Sequence, residues 1–174
     1  MNETIQEGKE MNHMMKKMIA LVTVLVLVFA LTACQQADPA PKADPAEVVA
    51  NIWKEFTEAN VDQLPAFMEL DAEMLKDMYG VDPDWLTAYT CQIPMMNVHA
   101  TEIFVAHVKD GHMEDVKKAL EERQKSLEMT WEMYLPAQYE LVKNSQTLTS
   151  GNYILYAVTE KGDSIKGIFE KAAK

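Results

Sequence analysis

Residues Thr87–Val108 read TAYTCQIPMMNVHATEIFVAHV, and the period of this stretch decides the fold. In its first half Tyr89, Cys91, Ile93 and Met95 alternate with smaller or polar residues, the two-residue period of a half-buried strand. Asn97 is placed to turn the chain. From Val98 the even positions are Val98, Ala100, Phe104, Ala106 and Val108, with Glu102 the exception, while the odd ones include His99, Thr101 and His107. This predicts a second strand, antiparallel to the first, closed by the turn signal Lys109-Asp110-Gly111. Strands joined as neighbours build an antiparallel sheet, not the alternating order of a doubly wound fold.

Downstream, residues 113–131 carry a helical period, with Met113, Val116, Leu120, Leu127, Trp131 and Tyr134 on one face. Glu114/Lys118 and Glu121/Lys125 are spaced as i,i+4 pairs on the solvent side, and Pro136 is the stop. Tyr139–Val142 and Thr147–Thr149 are the weaker strand candidates. Ser150-Gly151-Asn152 reads as a hairpin turn into a strong strand, Tyr153–Thr159. Asp163 then caps a final helix that buries Ile165, Ile168, Phe169 and Ala172. Upstream, Asp44-Pro45 opens a helix with Val48, Ile52, Phe56 and Ala59 in register. Leu64–Leu70 reads as an apolar connection. Asp71 caps a short helix that Gly80 ends, and Asp82-Pro83 begins another helical turn. The sum is one small α+β domain over residues 45–174. It has a β-β-α-β-β-α core, helices on one face of the sheet, and N-terminal helices packed on it.

The N-terminal third has a different character. Lys16 and Lys17 precede the uncharged run Met18–Ala33, which as a helix reaches about 24 Å, short of the ~30 Å hydrocarbon core. Such a run suits the apolar region of an export signal. It closes on Leu31-Thr32-Ala33-Cys34, the lipobox pattern: a branched residue, two small ones, and a cysteine whose thiol takes a diacylglycerol before cleavage. Residues 1–33 are therefore expected to be a signal peptide and Cys34 the lipidated first residue of the mature protein. Glu3, Glu7 and Glu10 do not belong before a basic n-region, so residues 1–14 are expected to be an upstream extension, with translation starting at Met14 or Met15. Residues 34–44, with Pro39 and Pro41 among alanines and aspartates, form a tether. The predicted location is the extracytoplasmic face of the cell membrane, held by lipid.

The chain carries a net charge of −11, which argues against nucleic-acid partners. Of its two cysteines, Cys34 is committed to lipid, leaving Cys91 without a disulfide partner and reading as a buried free thiol.

Four blocks resemble a known family: Asp71–Gly80, Pro94–Ile103, Tyr134–Val142 and Gly151–Tyr153. Together they are similar to bacterial lipoproteins, mostly from low-GC Gram-positive bacteria, classed as domain of unknown function 4358. The resemblance implies an exported lipoprotein with a compact α+β domain and supplies no catalytic residue.

Candidate chemistry is sparse. Glu102, alone on an apolar strand face, is the one carboxylate to watch, either as an end-of-sheet residue or as a partner for a lysine or Arg123. With His99, Met95, Met96 and Asn97 it makes up the candidate functional surface. His99 and His107 share a strand but lie roughly 26 Å apart at ~3.3 Å per residue, too far to share an ion. His107 and His112 could meet across the turn. Met74/Met78 and Met129/Met133 sit at i,i+4, a spacing that thioether binding of Cu(I) could use but that adaptable core packing explains much better. No GxSxG, SxxK, HExxH or phosphate-cradling loop is present, and neither a metal nor a cofactor is called for. The expected role is binding, of a protein, a wall component or a small molecule. The alternatives are an extracytoplasmic enzyme built around Glu102 and a Met/His metal-binding lipoprotein.

Overall fold

A computed structural model describes residues 43–174, which form one compact unit. The expected signal peptide, the expected lipobox and most of the expected tether lie outside the described residues. Helix α1 (Pro45–Asn60) opens as expected: the Asp44 carboxylate accepts from the Ala46 N–H at 3.0 Å, and Pro45 occupies the first turn. A 3₁₀ turn leads to β1 (Phe67–Glu69) and then to α2 (Ala72–Tyr79). Asp71 caps α2 by accepting from the Met74 N–H at 2.9 Å, and Gly80 ends it at φ 67°. A second 3₁₀ turn, capped by Asp82, enters β2 (Leu86–Pro94). Then come β3 (Glu102–Val108), α3 (Met113–Trp131), α4 (Pro136–Lys143), β4 (Gln146–Ser150), β5 (Tyr153–Val158) and α5 (Gly162–Ala172).

The sheet order is β1-β2-β3-β5-β4, antiparallel at every pairing. The α+β class therefore holds. The expectation of helices on one face does not. Helices α2, α3 and α4 cover Cys91, Phe104, Ala106, Ile154 and Tyr156, while α1 and α5 cover Ile103, Val105, Leu155 and Ala157 on the other side. The reason lies in the two central strands. Ile103–Ala106 and Ile154–Val158 are buried at every position, so both faces require cover.

Five smaller expectations are corrected. Val98–Thr101 is a connection and β3 starts only at Glu102. Tyr139–Val142 lies in α4, because Pro136 opens a helix as readily as it closes one. Leu64–Leu70 contains β1. Asp163 sits in the first turn of α5, one residue inside its start. On α3 the solvent-side pairs form at i,i+3, Lys117 with Glu114 and Lys125 with Glu122, in place of the i,i+4 pairs.

At Gly80 a side chain would meet nothing within 4 Å, so only its left-handed backbone selects glycine. Gly80→Ala is expected to lower stability by about 1 kcal/mol, read as an earlier urea midpoint with an unchanged slope.

Candidate functional site

Glu102 is the first residue of β3 and points to the same face as Phe104 and Ala106. It is 4 % exposed. Three donors reach its carboxylate. The Tyr79 hydroxyl, at the end of α2, donates to Oε2 at 2.5 Å. The Arg123 guanidinium, from the middle of α3, donates through Nε to Oε2 at 3.0 Å and through its second nitrogen to Oε1. The guanidinium also lies over the Tyr79 ring, 4.8 Å from its centroid. Arg123 takes this place because Val116, Leu120, Arg123 and Leu127 share one stripe of α3, so it is the cation within an apolar seam.

The electrostatics follow from burial. Burial, and then the charge of Glu102, push the Tyr79 hydroxyl well above the usual phenol range. Burial opposes the Arg123 cation, yet hydrogen bonds to Glu102 and its charge outweigh that and hold it firmly protonated. Burial raises the Cys91 thiol well beyond the range of a reactive thiol. Tyr156 is raised by burial as well. Its hydroxyl and that of Ser145 are both buried without reaching hydrogen-bond geometry. The carboxylate at the centre is thus occupied on both oxygens and closed from solvent, the form of an internal ion pair that fastens α2 and α3 to β3.

The other sequence candidates do not converge on Glu102. His99 lines a separate cleft of about 390 Å³ at the end of the sheet, with Thr101, Gln138, Thr159 and Lys161. There the Gln138 side-chain oxygen accepts from the Ala100 N–H at 2.7 Å, tying α4 to the connection before β3. Met95, Met96 and Asn97 are exposed on that connection. Met74 is half-buried against the core, whereas Met129 and Met133 are exposed, Met133 at 92 %. His107 and His112 do not pair: His107 packs edge-on to Tyr153 at 4.7 Å, and His112 stacks on Trp85 and faces Asp115. Among the described residues no group of three or more His, Cys, Asp or Glu side chains could hold a metal ion.

A second recess, of about 460 Å³, was not anticipated. It lies between α1 and β2, walled by Ala46, Val49, Ala50 and Trp53 and floored by Thr87–Thr90. Trp53 is propped edge-on by Phe67 at 5.2 Å. Glu69 stands at the rim and accepts from the Thr90 hydroxyl at 3.2 Å. The groove exists because β1 is only three residues long and pairs solely with Gln92–Pro94 of β2. The signal for it was Phe67-Met68-Glu69, too short a run to display a period.

The family model described as Domain of unknown function (DUF4358) matches residues 59–159. The chain belongs to this family. No curated protein and no solved structure shows significant similarity to it. The DUF4358 match takes in β1 to β5, so Tyr79, Glu102 and Arg123 all fall inside it, while most of α1 precedes it and α5 follows.

Removing Arg123 strands a buried carboxylate. Arg123→Ala is expected to cost about 3–5 kcal/mol, and the Glu102→Leu/Arg123→Met double variant markedly less, both measured by urea unfolding. Cys91 should resist iodoacetamide at neutral pH in the native protein and label fully in denaturant, followed by mass spectrometry of its peptide.

Proposed function

We propose that this protein is an exported lipoprotein, held on the extracytoplasmic face of the membrane by lipid on Cys34, and that its domain acts by binding a partner and not by catalysis. The anchoring half of the reading is supported by Lys16-Lys17, the apolar run Met18–Ala33 and the lipobox Leu31-Thr32-Ala33-Cys34. Lipid supplies the anchor in this reading. Among the described residues no helix is long and apolar enough to cross a membrane.

The binding half is carried by the state of Glu102. The catalytic alternative needs this carboxylate free to exchange a proton with a substrate. Here it accepts three hydrogen bonds inside the core. Recesses remain open elsewhere, and the larger, beside β2, is lined among the described residues by apolar side chains, threonines, Tyr89 and Glu69, with no histidine, cysteine or lysine. Such a lining suits recognition better than covalent chemistry.

Two outcomes are expected. Cys34→Ala should abolish incorporation of labelled fatty acid and shift the protein out of the membrane fraction; unchanged labelling would sink the anchoring reading. A photo-crosslinker at exposed Ala50 should give a discrete adduct in intact cells, and one at Lys166 on α5 should not.

A further inference from the structure

The groove beside β2 has a polar side that its apolar walls do not explain. Leu70 N–H donates to Cys91 C=O at 2.8 Å, and Met95 N–H donates to Ala66 C=O at 2.9 Å. The backbone groups of Cys91 and Met95 therefore face the β1 edge. Along a strand this direction repeats every second residue, so the N–H and C=O of Tyr89 face the same edge. No strand stands there among the described residues: β1 has ended, and at Asp71 the chain turns away into α2. Leu86–Thr90 pairs on its inner edge with β3 only, with an irregularity between Leu86 and Ala88. An unpaired strand edge thus runs beside a recess walled by Ala46, Ala50 and Trp53.

From this we infer that the groove takes an extended, basic polypeptide segment of a partner protein, added antiparallel to β2 on the line that β1 vacates. This rests on the reading of the domain as a binding module and names its ligand. Backbone chemistry specifies the extended form, because an open edge offers alternating donors and acceptors that only another extended chain matches. Side chains of the incoming strand on the α1 side fall between Trp53 and the two alanines, which leave room for apolar residues of moderate size. Charge specifies the sign. Glu69 is exposed at the rim and has no ion-pair partner among the described residues, and no lysine or arginine lines the groove. A chain of net charge −11 draws such a segment in and disfavours an acidic one.

The test uses the full-length chain in detergent micelles and a random linear dodecapeptide library displayed on phage. Enriched peptides should alternate apolar residues with lysine or arginine. A synthetic peptide of that sequence, followed by fluorescence anisotropy, should lose affinity about tenfold or more (~1.4 kcal/mol) against Ala50→Trp and against Glu69→Lys. The same loss should follow when alternate peptide amides are N-methylated. Thr147→Trp, on the opposite edge strand β4, should leave binding unchanged. Loss in Thr147→Trp with none in Ala50→Trp would move the site to β4 and overturn the proposal. Peptides lost in Ala50→Trp but indifferent to N-methylation would overturn strand addition while leaving the groove a binding site. A library that yields no enrichment overturns strand addition also, and the crosslink from Ala50 then decides the binding reading by itself.

Discussion

Ile103 and Val105 point to one face of the sheet and Phe104, Ala106 and Val108 to the other, and none keeps more than a trace of exposure. A strand apolar at successive positions cannot leave either face to water. Each large side chain so buried contributes roughly 1.5–3 kcal/mol, and the sheet must be covered twice for both sets to count. That requirement places the helices. α1 and α5 close one face, and α2, α3 and α4 close the other. β2 and β5 occupy the edges of β3, so the strand's backbone is paired along both sides as well.

Among the described residues the one fully buried carboxylate is Glu102, and the structure answers it locally. Arg123 grips both carboxylate oxygens while Tyr79 donates to one and stacks beneath the guanidinium. A buried pair of this kind adds little net stability compared with a well-packed apolar substitute, since desolvation consumes most of the attraction. Its consequence is geometric. A bidentate contact from α3 and a hydroxyl from α2 meet only when both helices sit at one position along β3, so the pair sets their register on that face. The same contact occupies both carboxylate oxygens inside the core.

Much of the architecture was legible from local rules. Asp44, Asp71 and Asp82 cap where their side-chain oxygens predict, and Gly80 ends α2 because a left-handed residue is needed there. The long helix α3 runs from Met113 to Trp131 as its period requires. Illegibility set in where segments were short. Tyr139-Glu140-Leu141-Val142 fits either period over four residues, and tertiary packing of Val142 against the sheet made it helix. Phe67-Met68-Glu69 forms a strand only because β2 supplies a partner edge. Glu102 is legible as the carboxylate on an apolar strand face, and the structure buries it there. Arg123 was visible as one possible partner. It is also the only arginine in the chain and lies on an apolar stripe, the pattern of a cation with a buried partner. Tyr79 gave no sign, because a tyrosine near a helix end is unremarkable until its hydroxyl is seen to have a target.

By itself the sequence determined the α+β class and the caps and turns, because each depends on residues within a few positions of one another. Only the tertiary structure decided that the sheet is covered on both faces, that Glu102 is bound to Arg123 and Tyr79, and that β1 stops early enough to leave an edge of β2 open. These depend on residues far apart in the chain, Tyr79, Glu102 and Arg123 for the ion pair, and Ala50, Glu69 and Tyr89 for the groove. No local period encodes which distant side chain will fill a given space, and packing against a shared strand is what brings them together.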